Sequence, residues 1–249
     1  MDLGIDGHVA VLTGGGRGLG AAIAMALGAE GARIVVWDLD HDSAQDVAEA
    51  VVAAGGEAIA VAGDVTDPST VGEVVRGVLD RFGSIQILVN CAGFSRDAPV
   101  TEMTDQEWQD VIDVCLTAPF YVTRAVVPSM SAAGYGRIVN ISSRARFGDV
   151  NKVNYVAAKA GLVGLTSALA MELGAAGITV NAVAPGFVET ARTVGLPYFA
   201  DLKARALQLS VTPRLGELAD ISDAVSYLVA RQSGYITGEV VNIAGGRLR

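Results

Sequence analysis

A chain of 249 residues with 51% apolar side chains can bury a sizeable core, in one large α/β domain or in two small ones. Its net charge of −9, without a cluster of Lys or Arg, argues against nucleic acid and anionic membranes as partners. No apolar run reaches the ~18 residues of a membrane span, and the first residues are not typical of a signal peptide, so we expect a cytoplasmic protein. Two cysteines and two histidines predict neither a disulfide scaffold nor a metal site.

The chain begins with a strand–turn–helix–strand pattern. Residues 8–13 are predicted to form a buried strand, a helix runs to about Glu30, and a second strand over 33–37 ends at Asp38. A glycine-rich turn separates the first strand from the helix, with glycines at Gly14, Gly18 and Gly20. Glycine permits positive φ and lets the backbone approach a pyrophosphate, at which the helix N-terminus directs its N–H groups. The turn therefore predicts a dinucleotide site, although its spacing is not GxGxxG and a tight turn that binds nothing is the alternative.

Asp38 decides which dinucleotide we expect. A carboxylate at the end of the second strand can accept hydrogen bonds from both ribose hydroxyls and repels a 2′-phosphate, which favours NAD(H) over NADP(H). Its neighbours Leu39, Asp40 and Asp42 add no positive charge, and only Arg17 argues the other way. The other role for Asp38 is to cap the next helix, which Asp40 or Asp42 could do instead.

The same alternation of strand and helix continues to the end of the chain. It predicts a single domain over 1–249, built on an open parallel sheet covered on both faces, with a substrate lid over about 187–216. The remaining predicted elements are helix 43–54, strand 58–62, helix 68–81, strand 85–90, helix 104–130, strand 137–142, helix 152–173, strand 178–183, a helical stretch near 199–209, helix 217–230 and strand 239–243. Ligands bind at the carboxyl ends of such strands, where the sequence places Asp38, Asp64, Asn90, Ser143 and Pro185.

Two of these strand ends leave alternatives open. Asp64 could hold the adenine amino group of a cofactor, or it could begin the turn before Pro68. The small residues 91–93 would let a cofactor lie across the strand that ends at Asn90, or they could form an ordinary turn.

Tyr155 and Lys159 lie four residues apart in the predicted helix 152–173, so their side chains share one face. A fixed ammonium favours a phenolate, but acid–base work near neutral pH requires lowering the pKa of a free tyrosine, ~10, by roughly 3 units, or about 4 kcal/mol. One charge at ~4 Å supplies only ~1 kcal/mol in water, but ~4 kcal/mol at an effective dielectric constant near 20. The pair can therefore do proton chemistry only in a partly dry cleft, and is otherwise an ordinary surface pair.

In this order, the motifs resemble those of the classical short-chain dehydrogenases/reductases over essentially the whole chain. The matching segments are the TGxxxGxG turn at 13–20, Asp64-Val65, Asn-Cys-Ala-Gly at 90–93 for the family's NNAG, Ser143, Tyr155-x3-Lys159, Pro185-Gly186 and the glycines of 234–246. The resemblance implies a single Rossmann-type doubly wound α/β domain with a seven-stranded parallel sheet flanked by helices on both faces. It also implies a homotetramer, built partly through helices 104–130 and 152–173.

The resemblance further implies hydride exchange between a nicotinamide and a carbinol or carbonyl carbon. Tyr155 then exchanges the proton, Lys159 binds the nicotinamide ribose and favours the phenolate, and Ser143 hydrogen-bonds the substrate oxygen. The predicted substrate-binding residues are Phe94, Ser143, Arg144 and Tyr155. The implied cofactor-binding residues are Gly14, Arg17, Gly18, Leu19, Gly20, Asp38, Leu39, Asp64, Val65, Asn90, Ala92, Gly93, Tyr155, Lys159, Pro185, Gly186, Val188 and Thr190.

The chain departs from the family pattern in two regions. Cys115 stands where the family has a catalytic Asn, so we expect a weakened proton relay rather than a dead enzyme. Ser143 is one residue closer to the catalytic tyrosine than is usual, which leaves Ser142 as an alternative. Arg144 and Arg146 follow the serines, where they could bind an anionic substrate or lie in solvent or between subunits.

We therefore expect an NAD-dependent dehydrogenase for a small-molecule secondary alcohol or its ketone. An NADP-dependent 3-oxoacyl-carrier-protein-type reductase is the nearest alternative, but Asp38 and the net charge of −9 count against it. A non-catalytic nucleotide-sensing protein is a third hypothesis, for which Cys115 is the one sign.

Overall fold

The computed structural model describes residues 2–195 and 199–247, and strands and helices alternate through this part of the chain as predicted. The strands are β1 Val9–Thr13, β2 Arg33–Asp38, β3 Glu57–Ala62, β4 Ile87–Asn90, β5 Gly136–Ile141, β6 Ile178–Pro185 and β7 Val240–Ile243. The helices are α1 Gly18–Ala29, α2 His41–Ala53, α3 Pro68–Phe82, α4 Asp105–Ile112, α5 Ala118–Ala133, α6 Val153–Leu173, α7 Ala191–Val194, α8 Phe199–Leu209 and α9 Leu218–Val229.

Within the described residues, seven strands form one sheet in the order β3-β2-β1-β4-β5-β6-β7, and every neighbouring pair is parallel. Thr13 pairs in register with Trp37 on one side and Asn90 on the other, so the carboxyl ends of β1, β2 and β4 reach the same edge. The predicted seven-stranded, doubly wound α/β fold is confirmed. The strand order reverses between β1 and β4, which is where such sheets open a crevice for ligands.

Apolar side chains cover both faces of the sheet. On one face α1, α2 and α9 pack through residues such as Leu27, Val51 and Ile221. On the other face α3, α5 and α6 pack through residues such as Val75 and Val122. Because both faces are covered, β1 and β4 are buried along their whole length, which explains their nearly continuous apolar sequences.

The long helix predicted after β4 changes its winding in the middle. Thr104 caps α4 in a reciprocal capping box with Glu107. A π-helical turn then occupies Asp113–Thr117, directly before α5. Pro119, near the start of α5, lacks the N–H that a regular α-helix would direct to the carbonyl of Cys115, and this favours the irregular turn.

Two helical segments of the described chain are long and apolar enough to cross a membrane by length and composition alone, Asp105–Ala133 and Val153–Ala176. Both pack along the sheet, where α5 and α6 bury residues such as Val126 and Leu162. Core helices of an α/β sheet pass this test as readily as spanning helices do, so their composition agrees with their packing here.

The predicted lid over 187–216 closes at its base. Val188 and Gly216 form an isolated parallel bridge, and the Gly216 N–H donates to the carbonyl of Phe187 at 3.2 Å. α7 and α8 lie within this insertion, between the ends that the bridge joins. Residues 196–198 of the lid lie outside the described residues.

Candidate active site

The glycine-rich turn is too tightly packed for side chains at two positions. Gly14 has a φ of +65°, and a Cβ on it would lie 2.6 Å from the Cα of Ala92. A Cβ on Gly20 would overlap the carbonyl oxygen of Gly14. α1 begins at Gly18, and its N-cap Arg17 makes no side-chain cap hydrogen bond. The first-turn N–H groups of α1 therefore have no side-chain cap and are suited to an anion such as a pyrophosphate.

Asp38 lies at the end of β2, beside this turn, and is 9% exposed. Its Oδ2 accepts a hydrogen bond from the Gly16 N–H at 2.9 Å, and its Oδ1 accepts one from the Asp40 N–H at 3.2 Å. Asp40 caps α2 by accepting from the Ser43 N–H, so the alternative that Asp38 is the helix cap is wrong. The next residue, Leu39, is exposed and adds no charge. The carboxylate therefore stands at the turn, where a cofactor ribose is expected.

The side chain of Asn90 points into the protein. It is 3% exposed, and its Nδ2 donates to Asn140 Oδ1 at 2.8 Å and to Thr123 Oγ1 at 3.3 Å. Asn140 donates in turn to Thr166 Oγ1 at 2.9 Å. These bonds join the end of β4 to β5, α5 and α6. The Nδ2 of Asn90 is therefore used within the protein and holds the strand ends in place, and a contact between Asn90 and the cofactor stays a prediction.

Asp64 and Val65 lie just beyond β3. Asp64 is exposed, and its Oδ1 accepts hydrogen bonds from the Thr66 N–H at 2.8 Å and the Thr66 Oγ1 at 2.7 Å. Val65 packs into the core on the α3 face. The sequence left two roles open for Asp64. In the structure, its side chain forms the turn before Pro68.

Lys159 is 3% exposed on α6, and its Nζ donates to the carbonyl oxygen of Ile141 at 2.7 Å. The same Nζ lies 5.6 Å from the centroid of the Tyr155 ring, so the predicted pair is formed. Burial lowers the pKa of Lys159, but interactions with Cys115, Tyr155 and Cys91 outweigh it, so the pKa lies above its ordinary value. Lys159 is therefore protonated at neutral pH, in dry surroundings where an ammonium most strongly favours a neighbouring phenolate.

The two candidate serines have different surroundings. Ser142 is 2% exposed, and its hydroxyl donates to the Lys159 carbonyl at 2.9 Å, so it is used within the protein. Ser143 is partly exposed, and its Oγ accepts a hydrogen bond from the Ala145 N–H at 3.0 Å. That bond leaves the hydroxyl hydrogen of Ser143 free to donate to a substrate oxygen. The geometry therefore favours Ser143 over Ser142.

These residues border a cleft of about 890 Å³ at the carboxyl edge of the sheet. The predicted site residues that line it are Leu19, Gly93, Ser143, Arg144, Tyr155, Lys159, Pro185, Gly186, Val188 and Thr190. Asp38 and the glycine-rich turn lie further along the same edge, where the adenosine half of a dinucleotide would extend.

Phe94 and Arg146 are not among the residues that line the cleft. Phe94 packs into a small apolar cluster with Cys115 and Tyr155, and its contact with the substrate stays a prediction. Arg146 donates to Asn242 Oδ1 at 3.0 Å and stacks on the ring of Phe147, outside the cleft lining.

Cys115 is fully buried beneath the cleft. Its Sγ donates to the carbonyl of Phe94 at 3.4 Å. A Cβ on Gly93 would lie 3.2 Å from that sulfur and 3.3 Å from the Nζ of Lys159, so Gly93 keeps this space free. Burial raises the pKa of the other cysteine, Cys91, to about 11, so that thiol is unreactive at neutral pH.

Five further charged residues line the cleft that the sequence analysis did not assign to it, namely Asp97, Asp149, Lys152, Arg205 and Arg247. Arg205 belongs to α8, in the segment predicted to form a lid, and Arg247 follows β7. Neither position carries a motif or a periodic pattern that could have identified it from the sequence.

Comparisons with known proteins agree with this geometry. The family described as enoyl-(acyl carrier protein) reductase matches residues 14–247. The chain is 38% identical over 245 residues to the 3-oxoacyl-[acyl-carrier-protein] reductase FabG of Escherichia coli, covering 98% of each chain. It is 40% identical over 244 residues to the short-chain reductase protein NovJ of Streptomyces niveus, covering 96% of this chain and 93% of NovJ.

Solved structures show the same fold. A crystal structure from Sinorhizobium meliloti, provisionally described as a short-chain alcohol dehydrogenase, superposes with a TM-score of 0.93 at 34% identity. A second from Agrobacterium tumefaciens, provisionally described as a gluconate dehydrogenase, gives 0.92 at 34% identity. Each comparison covers 98% of this chain and 97% of the other. The chain therefore belongs to the short-chain dehydrogenase/reductase family, whose members are oxidoreductases that use a nicotinamide cofactor.

Proposed function

We propose that this protein is an NAD(H)-dependent dehydrogenase that interconverts a secondary alcohol and its ketone. The observation that carries the proposal is the buried Lys159 beside the Tyr155 ring, in a cleft that the Ser143 hydroxyl also borders. This set supplies a proton carrier, a fixed positive charge and a hydrogen-bond donor for the substrate oxygen.

The residues around the crevice fit a bound dinucleotide. The turn at Gly14 and Gly20 and the open space beside Gly93 are positions that a Cβ would fill. When bound, the nicotinamide accepts or supplies the hydride. In the direction of oxidation, Tyr155 takes the hydroxyl proton of the substrate and Lys159 stabilises the phenolate that does so. Ser143 donates a hydrogen bond to the same substrate oxygen, which holds the carbinol in place.

The position of Asp38 supports NAD(H) as the cofactor. Its carboxylate lies at the end of β2, beside the glycine-rich turn, where a ribose is expected. The described residues around it include the exposed Leu39 and the acidic Asp40, and Arg17 is the nearby cation. A 2′-phosphate at this place would meet a carboxylate rather than a cationic pocket.

An NADP-dependent 3-oxoacyl-carrier-protein reductase is the second candidate function. The 38% identity to FabG of Escherichia coli over almost the whole chain favours it. Asp38 and the net charge of −9 count against it, because NADP and an acidic carrier protein both call for positive charge. A non-catalytic nucleotide sensor is less well supported, because Ser143, Tyr155 and Lys159 are all present at the cleft.

A substrate panel tests the proposal. Secondary alcohols and hydroxy acids are incubated with NAD⁺ or NADP⁺, and ketones and a 3-oxoacyl thioester with NADH or NADPH, while absorbance of the reduced nicotinamide is followed. We expect turnover with the NAD pair, and its loss in Tyr155→Phe with nearly unchanged cofactor binding. Retained activity in Tyr155→Phe would contradict the proton role, and thioester reduction with NADPH alone would establish the second candidate.

We further propose that the protein is a cytoplasmic homotetramer. Its two cysteines, Cys91 and Cys115, are both unpaired, which fits a reducing compartment. The helices predicted to join subunits expose large apolar side chains, including Trp108, Phe120 and Met171. Light scattering after size-exclusion chromatography should give about four times the mass of one chain, and a monomer would contradict the prediction.

A further inference from the structure

The cleft is lined by positive charge although the whole chain is acidic. Its described lining contains five cationic side chains and two anionic ones, whereas the chain as a whole carries −9. The cationic residues are Arg144, Lys152, Lys159, Arg205 and Arg247, and the anionic ones are Asp97 and Asp149. Lys159 is engaged with the tyrosine, so the other four need a separate explanation.

Two of these four have carboxylate partners. Lys152 Nζ lies 3.6 Å from both Asp97 Oδ2 and Asp149 Oδ2, and Arg144 lies 3.6 Å from the same Asp149 oxygen. Asp149 is therefore shared between Arg144 and Lys152 and offsets only part of their charge. Arg144 is also 8% exposed, so its remaining charge is held in a partly dry environment.

Arg205 and Arg247 are different. Among residues 2–195 and 199–247, neither forms an ion pair. The Nε of Arg247 is buried and has no hydrogen-bond partner within the same part of the chain. A buried guanidinium N–H without a partner is costly, and such a group is often one that a ligand satisfies.

The three arginines approach one another from separate parts of the chain. Arg144 follows β5, Arg205 lies on α8 of the lid, and Arg247 follows β7. Burial lowers the pKa of Arg247 below its ordinary value, and the positive charge of Arg144 lowers it further. Asp149 opposes this shift, and Arg205 adds the smallest lowering effect. Like charges converge in this way where an anion binds between them.

We propose that the substrate is a hydroxycarboxylate, whose carboxylate binds Arg205 and Arg247 beside Arg144 while its carbinol lies at Ser143 and Tyr155. This inference rests on the dehydrogenase activity proposed above. A singly charged carboxylate fits better than a phosphate dianion, because Asp149 already offsets part of the positive charge. Guanidinium groups bind carboxylates through paired N–H donors, which also fixes the orientation of the substrate.

The reaction balances without a further reagent. The carbinol C–H bond breaks and its hydride passes to NAD⁺, the O–H proton passes to Tyr155 and then to solvent, and the C–O bond becomes a carbonyl. The products are an oxocarboxylate, NADH and one proton. The carboxylate takes no part in the bond changes, so the arginines affect substrate binding and orientation.

Direct binding tests the inference with matched probes. NADH-saturated protein is titrated calorimetrically with 2- and 3-hydroxybutyrate, 4-hydroxypentanoate and gluconate, and with the uncharged amide of each. The amide has the same shape as the acid but no charge. We expect at least one acid to bind about tenfold or more tightly than its amide, because charge-assisted hydrogen bonds are replaced by neutral ones.

Variants then assign the effect to the arginines. Arg205→Gln and Arg247→Gln should each weaken binding of that acid by about ten- to a hundredfold and leave its amide nearly unchanged, while Arg247→Lys should be intermediate. Arg76→Gln, which removes an exposed arginine on α3, should change neither ligand and serves as the matched control. Equal binding of every acid and its amide, or equal binding by the Arg205 and Arg247 variants and the wild type, would overturn the inference.

Turnover separates this inference from the proposed function. If uncharged alcohols are oxidised as efficiently as hydroxy acids, the dehydrogenase stands and the carboxylate site falls. In another outcome, no compound is turned over with either cofactor, yet an acid binds the wild type and does not bind the arginine variants. That result would contradict the proposed dehydrogenase activity and support the carboxylate site.

Discussion

Replacing Asp38 separates two properties of its carboxylate, namely its negative charge and its hydrogen bond to the glycine-rich turn. The side chain carries a negative charge where a ribose is expected, and its Oδ2 also accepts the Gly16 N–H at 2.9 Å. Asp38→Asn removes the charge but keeps one acceptor oxygen for Gly16. Asp38→Ala removes both, so it should also loosen the turn that holds the pyrophosphate.

The expected magnitude follows from the charges involved. A phosphate monoester carries about −1.5 to −2 at neutral pH. Each pair of unit charges ~4 Å apart repels by ~4 kcal/mol at an effective dielectric constant near 20, and by ~1 kcal/mol in water. Asp38 is nearly buried but lies at the end of β2, at the edge of the sheet, so we take about 2–4 kcal/mol in total. At about 1.4 kcal/mol per factor of ten, NADH should bind about 30- to 1,000-fold more tightly than NADPH.

Fluorescence titration of NADH and NADPH measures this ratio directly. Asp38→Asn should reduce the preference to about tenfold or less by tightening NADPH binding, and Asp38→Ala should weaken both cofactors as well. Asp40→Asn is the matched control, because it removes the same charge from the exposed residue that caps α2. Equal affinity of the wild type for NADH and NADPH would refute the role of Asp38. A change of preference in Asp40→Asn as large as that in Asp38→Asn would refute it too.

Three further predictions concern the serines, Cys115 and the lid base. Ser143→Ala should lower kcat by about a hundredfold or more, whereas Ser142→Ala should mainly lower stability, by about 1 kcal/mol; equal kcat losses would contradict the assignment. Cys115→Asn should preserve or raise kcat, and a total loss would show that the cysteine is specifically required. Arg214 lowers the pKa of Asp220 to about 2, so their ion pair stabilises the fold at neutral pH and is lost as pH falls from about 4 to 2. Asp220→Asn should therefore lower the free energy of unfolding by about 1 kcal/mol at pH 7 but by progressively less towards pH 2, as followed by urea denaturation.

Contiguous patterns allowed most of the fold and the centre of the site to be predicted from the sequence. The turn after β1 needs glycine at two positions, because a Cβ on Gly14 would meet backbone atoms of Ala92 and a Cβ on Gly20 would meet those of Gly14. The sequence shows this need directly as a short run of closely spaced glycines. The Tyr155–Lys159 pair follows from helical spacing alone. Strand ends such as Asp38 share one edge because all neighbouring strands are parallel, so chain order sufficed to bring them together.

The sequence patterns did not predict the direction of individual side chains or the course of irregular segments. Asn90 and Phe94 were correctly placed near the carboxyl end of β4, but the sequence did not indicate that both turn inward, one to Asn140 and one to Cys115. Arg247 reaches the cleft from beyond the last strand, through a stretch without periodicity. The position of Arg247 depends on how the predicted lid over 187–216 and this last segment fold back, and no local sequence pattern predicts that.

Cys115 shows which forces maintain the irregular helix beside the active site. A thiol is a weak donor, and its bond of 3.4 Å to the Phe94 carbonyl cannot match what an amide side chain would supply. The π-helical turn Asp113–Thr117 is nevertheless formed, because Pro119 removes the N–H that would continue a regular helix and because Cys115 packs against Tyr155. The backbone shape is therefore set by the proline and by packing, whereas the donors of an amide are absent. A cysteine at position 115 in place of an asparagine should therefore slow the proton relay without displacing Tyr155.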